Sequence, residues 1–223
     1  MLGVGYDLHI TRAFMSFESD RYPILGAEVD ELIRTEADLV VPPDAPRRPE
    51  FCYLTWHGDD WLLFDAGRLR TTHPRPALAR RMTELAARLD AWLIGDDGEV
   101  YEWDGERVAS WQRGVEAFAA NPRHLTRGTA SSGLNAHAPI TREEWEQFVA
   151  TQPDFAMMTR IEATLPSGVR PIPCPPVACW MGHPSGRPVP FFHDRDVIEV
   201  RDADEPTARR MATLAPQLGA RAV

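Results

Sequence analysis

The feature that most constrains this chain is that it repeats itself. His9-Ile-Thr-Arg12 returns as His124-Leu-Thr-Arg127, and Tyr22-Pro23-Ile24, with the helix-like stretch behind it, returns as Ala138-Pro139-Ile140. Trp56 and Gly58 return as Trp180 and Gly182, and Arg80-Arg81-Met82 with Leu85-Ala86 returns as Arg209-Arg210-Met211 with Leu214-Ala215. The offsets rise in one direction, from 115 through 116 and 124 to 129, as insertions into a duplicated module make them. Four matches in the same order predict two like units rather than one larger fold.

Local chemistry supports the pairing. Thr141-Arg-Glu-Glu144 reads as a capping box, with Ile140 and Trp145 at the hydrophobic-staple positions. Ile24 and Val29 hold the same staple slots in the first copy, but Leu25 stands where Thr141 stands. Without a hydroxyl cap the first helix should fray more, by about 1 kcal/mol. Pro76 opens a second helix carrying Leu78, Met82, Leu85 and Leu89, whereas Pro216 falls inside its counterpart and should shorten or kink it. Phe51–Trp56, 61–65 and 69–71 read as strands, as do 177–180, 189–192 and 197–200. The proline-rich stretches 42–49 and 171–176 are expected as ordered loops. The first copy closes with 91–94, 100–103 and an Asp104-Gly105 hairpin turn, which the second copy lacks.

Each module thus reads β-α-β-β-β-α-β, an α+β unit. The expected organisation is a first, acidic module over residues 1–110 and a linking segment over 111–123, helical from Trp111 to Asn121. A diverged second module follows over 124–223. Pseudo-twofold symmetry should relate the two modules.

Charge and composition exclude more than they select. All 24 basic residues are arginines, which removes the P-loop, Schiff-base and kinase lysines at once. A net charge of −9 argues against a nucleic-acid coat. No window approaches the roughly 18 apolar residues of a membrane span. With three cysteines and no leader-like N-terminus, a cytoplasmic protein without a cofactor is expected. The imbalance is local: residues 1–117 carry 22 acidic side chains against 13 arginines, and residues 118–223 carry 11 of each. Its densest part runs through Asp96, Asp97, Glu99, Glu102, Asp104 and Glu106, interleaved with Tyr101 and Trp103. Aromatics among like charges suit a docking surface for a basic protein partner, formed by Asp96, Asp97, Glu99, Tyr101, Glu102, Trp103 and Asp104.

Two constellations offer chemistry instead. Strand alternation places His9 beside Thr11, and His124 beside Thr126, on one face each. Two such pairs across a cleft resemble the 2H phosphoesterase family, whose His-x-Thr/Ser motifs cleave phosphodiesters; that family carries an apolar residue where Arg12 and Arg127 stand here. Cys174, Cys179, His183 and His193 have the ligand types of a tetrahedral zinc site at a non-standard spacing.

Tyr6-Asp-Leu-His-Ile-Thr-Arg-Ala13, with Gly95-Asp-Asp-Gly-Glu-Val-Tyr101 at the far end, resembles a family of small uncharacterised bacterial proteins. The likeness covers residues 6–101, and 124–220 resemble a diverged second copy. By analogy with immunity proteins, it implies a non-catalytic intracellular module that neutralises a bacterial toxin domain.

Overall fold

The computed structural model describes residues 6–112, 123–128 and 139–223. It is a mixed α+β structure whose described residues hold four α-helices and two antiparallel sheets. The chain divides into two compact units, Met1–Arg113 with Glu162–Pro175, and Gly114–Ile161 with Pro176–Val223. None of the described helices is long and apolar enough to cross a membrane.

In the first unit, β1 (Asp7–Thr11) lies between β6 (Arg68–Thr72) and β7 (Trp92–Gly95). The sheet continues on one side through β5 (Asp60–Asp65) to β4 (Phe51–Trp56), which also pairs with β2 (Leu39–Val40) and β3 (Arg47–Arg48). On the other side it continues through β8 (Val100–Trp103) to β9 (Val108–Trp111). Alternation turns Leu8 and Ile10 of β1 into the core and His9 and Thr11 to the opposite face. That core receives Val29 and Leu32 from α1 (Gly26–Thr35) and Leu78, Met82 and Leu85 from α2 (Pro76–Arg88). Three further apolar side chains, Ala163, Leu165 and Ile172, cluster with Tyr22 in the same unit.

In the second unit, β10 (Arg123–Thr126) lies between β14 (Val197–Val200) and β15 (Arg221–Ala222). The sheet continues through β13 (Val189–Asp194) to β12 (Gly168–Trp180) and β11 (Phe155–Leu165), of which residues 176–180 and 155–161 belong to this unit. Trp145, from α3 (Arg142–Ala150), stacks on Phe148 and Phe191 and meets Phe155 edge-on. Met211 and Leu214 of α4 (Glu205–Leu214) complete that core.

Several sequence expectations are met at the element level. The Thr141 hydroxyl accepts the Glu144 N–H at 3.1 Å, while Leu25 provides no side-chain cap. The last helix stops at Leu214 and tightens into a 3-10 turn at Ala215–Leu218, where Pro216 sits. One expectation is overturned. Residues 171–176 are not a loop but part of the 13-residue strand β12. Pro171, Pro173 and Pro175 put their missing N–H groups along one edge and Pro176 along the other, all of them outside the Ala178–Trp180 register with β13. The unit boundary also departs from expectation, because residues 162–175 group with the first unit. The linking helix expected over 111–121 falls almost wholly outside the described residues, and Trp111 ends β9.

One polar arrangement occurs in both units. After the His-x-Thr of β1, Arg12 forks onto Glu28 at 2.9 and 2.6 Å and donates to the carbonyls of Pro23 and Leu89. After that of β10, Arg127 forks onto Glu144 and donates to the carbonyls of Pro139 and Leu218. Trp56 donates to Asp38, which Arg81 also holds; Trp180 donates to Asp154, which Arg210 also holds.

Candidate functional site

The acidic segment of the first unit is built by two tight turns. In Gly95-Asp-Asp-Gly98, the Gly98 N–H donates to the Gly95 carbonyl, and Gly98 takes φ of +79°, which favours glycine. A Cβ on Gly95 would fall 2.1 Å from the Tyr6 hydroxyl and 2.6 Å from Glu99 Oε1, so a side chain there would displace both. At Asp104-Gly105 the carboxylate accepts the Glu106 and Arg107 N–H groups, both at 2.8 Å, and those two bonds hold its pKa below the usual carboxylate value.

The first turn carries Asp96 onto β1. Its Oδ1 lies 3.1 Å from His9 Nε2, and its Oδ2 accepts the Asp7 N–H. His9 is 4 % exposed. Burial pushes its pKa below 6.5, the Asp96 hydrogen bond pulls the other way, and the Arg68 charge pushes it down again. Asp7, His9 and Asp96 bring their ligand atoms within 4.8 Å of one another, and no other such group of three occurs among the described residues. A cation there would need the Nε2 lone pair and so a proton on Nδ1. Nδ1 is buried with no hydrogen-bond partner, and Arg70 lies 3.7 Å from Asp7. A metal-ligating imidazole ordinarily donates its other N–H to a carbonyl or carboxylate, and that support is missing here. The geometry fits an Nε2–H donated to Asp96 better than a metal ligand.

The His-x-Thr pairs meet different fates. Thr11 is fully buried, its hydroxyl 2.7 Å from that of Ser19 and accepting the Ala13 N–H, so it presents nothing to a phosphate. His124 Nε2 lies 3.9 Å from Glu199, and the Thr126 hydroxyl accepts the Gly128 N–H. The proposed zinc ligands do not form a group of the kind seen at His9. Cys179 is fully buried, and His193 bonds the Ile140 carbonyl at 2.7 Å. His183 is instead held between Ser185, at 2.6 Å, and Asp204, at 2.9 Å. That Ser-His-Asp order has catalytic residue types, but both partners have local duties. Ser185 Oγ accepts the Arg187 N–H within its own turn, and Asp204 caps α4 through the Thr207 N–H.

Of the expected docking residues, the structure commits some and leaves others available. Asp96 is tied to β1, Asp104 holds its turn, and Glu99 accepts the Tyr101 hydroxyl at 3.0 Å. Burial and the Glu99 carboxylate push the Tyr101 pKa up. Asp97 and Glu102 are exposed, and no hydrogen bond or ion pair engages either side chain among the described residues. Trp103 lies under the Arg80 guanidinium at 4.3 Å. The sequence reading missed what stands opposite: the start of α2 and the hairpin β8–β9 enclose a groove of about 660 Å³, lined by Pro76, Ala79, Tyr101, Trp103, Val108 and Ser110 among others. Its signal was distributed over three segments, at Leu8, 76–80 and 101–110, so none alone announced it. Comparison with protein-family models, with curated proteins and with solved structures finds no match to this chain.

Proposed function

We propose that this chain is a non-catalytic cytoplasmic binding protein of the immunity type, neutralising a bacterial toxin domain by docking a basic surface of it on the acidic hairpin of the first unit. The observation that carries the reading is exposed, uncommitted acid on the same segment whose aromatics wall a groove. Asp97 and Glu102 stand exposed, while Tyr101 and Trp103, which alternate with Glu102 along β8, wall a cleft on the other face of the hairpin. Complementary charge steers such an encounter, and buried aromatics supply its anchors.

We further propose that the two units descend from one duplicated module. The support is the recurrence of the Arg-Glu fork with its two carbonyls, and of the Trp-Asp-Arg set, at the offsets of the sequence repeat. Under that reading the second unit kept the scaffold and lost the acidic hairpin.

The test is a tagged capture from the source cells, followed by expression of the captured partner alone and together with this chain. The expected result is a partner that arrests growth by itself and is silenced by co-expression. Asp97→Arg with Glu102→Arg should weaken its affinity by tenfold or more. A partner that is harmless alone, or an affinity unmoved by the double reversal, overturns the reading.

A further inference from the structure

We propose that the outer edge of β9, unpaired among the described residues, receives an extended segment of a partner protein, a β-strand of alternating apolar and basic residues that adds to the first unit's sheet. This rests on the docking reading above and assigns it a mode, a register and a sequence character.

The register follows from one hydrogen bond. The Asp104 N–H donates to the Arg107 carbonyl at 3.1 Å, which makes Asp104 and Arg107 a hydrogen-bonded pair. In an antiparallel ladder bonded and non-bonded pairs alternate. Trp103–Val108 is therefore non-bonded, Glu102–Ala109 bonded, Tyr101–Ser110 non-bonded and Val100–Trp111 bonded. Ala109 and Trp111 spend their backbone groups on β8, while Val108 and Ser110 turn theirs outward. No further strand pairs with β9 among the described residues. Main-chain groups displayed in this way are a template for strand addition.

The same alternation decides what the added strand must carry. Val108 and Ser110 share the groove face with Tyr101 and Trp103, and all four line the groove. A residue added beside them points into a cleft that also has Pro76 and Ala79 on its wall, so it should be apolar. Ala109 and Trp111 share the opposite face with Glu102. A residue added there meets the exposed Trp111 ring, 43 % accessible, with the unpaired Glu102 carboxylate one strand beyond. An arginine or lysine satisfies both, through cation–π contact and charge. The neighbouring cations do not pre-empt this demand, since Arg80 is engaged by Trp103 and Glu84 and Arg107 by Asp104.

The probe is a synthetic octapeptide in which valine and arginine alternate, acetylated and amidated at its ends and titrated into the full chain by calorimetry. Its controls are the same alternation of valine with glutamate, and a block peptide in which a run of valines precedes a run of arginines. The expected result is saturable binding of the alternating basic peptide, at least tenfold tighter than either control. N-methylation of alternate peptide residues should abolish binding in one phase and leave it intact in the other, a test that does not alter the protein. Ser110→Pro, which removes an outward N–H without touching a bond to β8, should abolish binding with an unchanged thermal transition. Glu102→Gln should weaken it several-fold. Binding that is indifferent to both N-methyl phases and to Ser110→Pro, while still lost in Asp97→Arg with Glu102→Arg, overturns strand addition and leaves the charge-docking reading standing. No saturable binding of any peptide at millimolar concentration also overturns it, with the captured-partner experiment deciding the broader reading separately. Concentration-dependent dimerisation of the chain abolished by Ser110→Pro would make the occupant a second copy and overturn the choice of partner.

Discussion

Single residues set the largest local energies here, and Arg12 is the clearest. Arg12 is 7 % exposed, and its guanidinium satisfies the Glu28 carboxylate and the carbonyls of Pro23 and Leu89. Arg12→Ala should cost about 3 kcal/mol in denaturant unfolding, because it strands the carbonyls of Pro23 and Leu89. Arg12→Lys should recover less than half of that, since an ammonium cannot reproduce a planar fork. His9 supplies a pH signature. With its folded pKa below 6.5, the unfolded chain takes up the proton first, so stability present above pH 6.5 is lost as pH falls from 6.5 through the lower folded value. His9→Gln should flatten that limb of a stability-against-pH curve measured by urea denaturation. A wild-type curve with no slope there would refute the assignment. The arginines were legible as repeated letters, yet what they do was not. Each donates to backbone carbonyls, at Leu89 and Leu218 among others, and a carbonyl leaves no trace in the residue type that carries it.

At the scale of elements, helices were read most faithfully, because caps and prolines act through neighbours in sequence. Thr141 and Pro76 mark the starts of α3 and α2 in the structure as they do in the letters. Thr141→Ala should destabilise the second unit by about 1 kcal/mol, and Leu25→Thr should stabilise the first by a similar amount, both measured by thermal unfolding. A neutral Thr141→Ala would mean that the Arg127–Glu144 fork already holds that helix end by itself. Strand β12 was misread because proline content is a local signal, whereas a strand's tolerance for missing N–H groups depends on which neighbour each edge faces. The candidate site divides along the same line. The two turns that build the acidic hairpin follow from Gly98 and the Asp104-Gly105 pair, but the burial of Thr11 and the tie of His9 to Asp96 come from segments distant in sequence.

For the whole molecule, the chain falls into two compact units whose membership does not follow chain order, since residues 162–175 group with the first. Ala163, Leu165 and Ile172 look in sequence like ordinary members of a second module, yet they pack in the first unit with Tyr22. Ile172→Ala should therefore cost about 2–3 kcal/mol, and hydrogen exchange should register the loss around Tyr22 within the first unit. Loss of protection confined to residues 176–223 would refute that. This borrowing also imposes an order on synthesis. Residues 1–113 leave the ribosome with part of their unit still unmade, and translation must reach residue 175 before that unit is complete. At about 5–20 residues per second, the gap leaves the acidic unit unfinished for some seconds on every nascent chain. A chain cut short before residue 162 therefore carries a nearly whole sheet without the Ala163, Leu165 and Ile172 cluster that packs with Tyr22, a ready mark for chaperone capture.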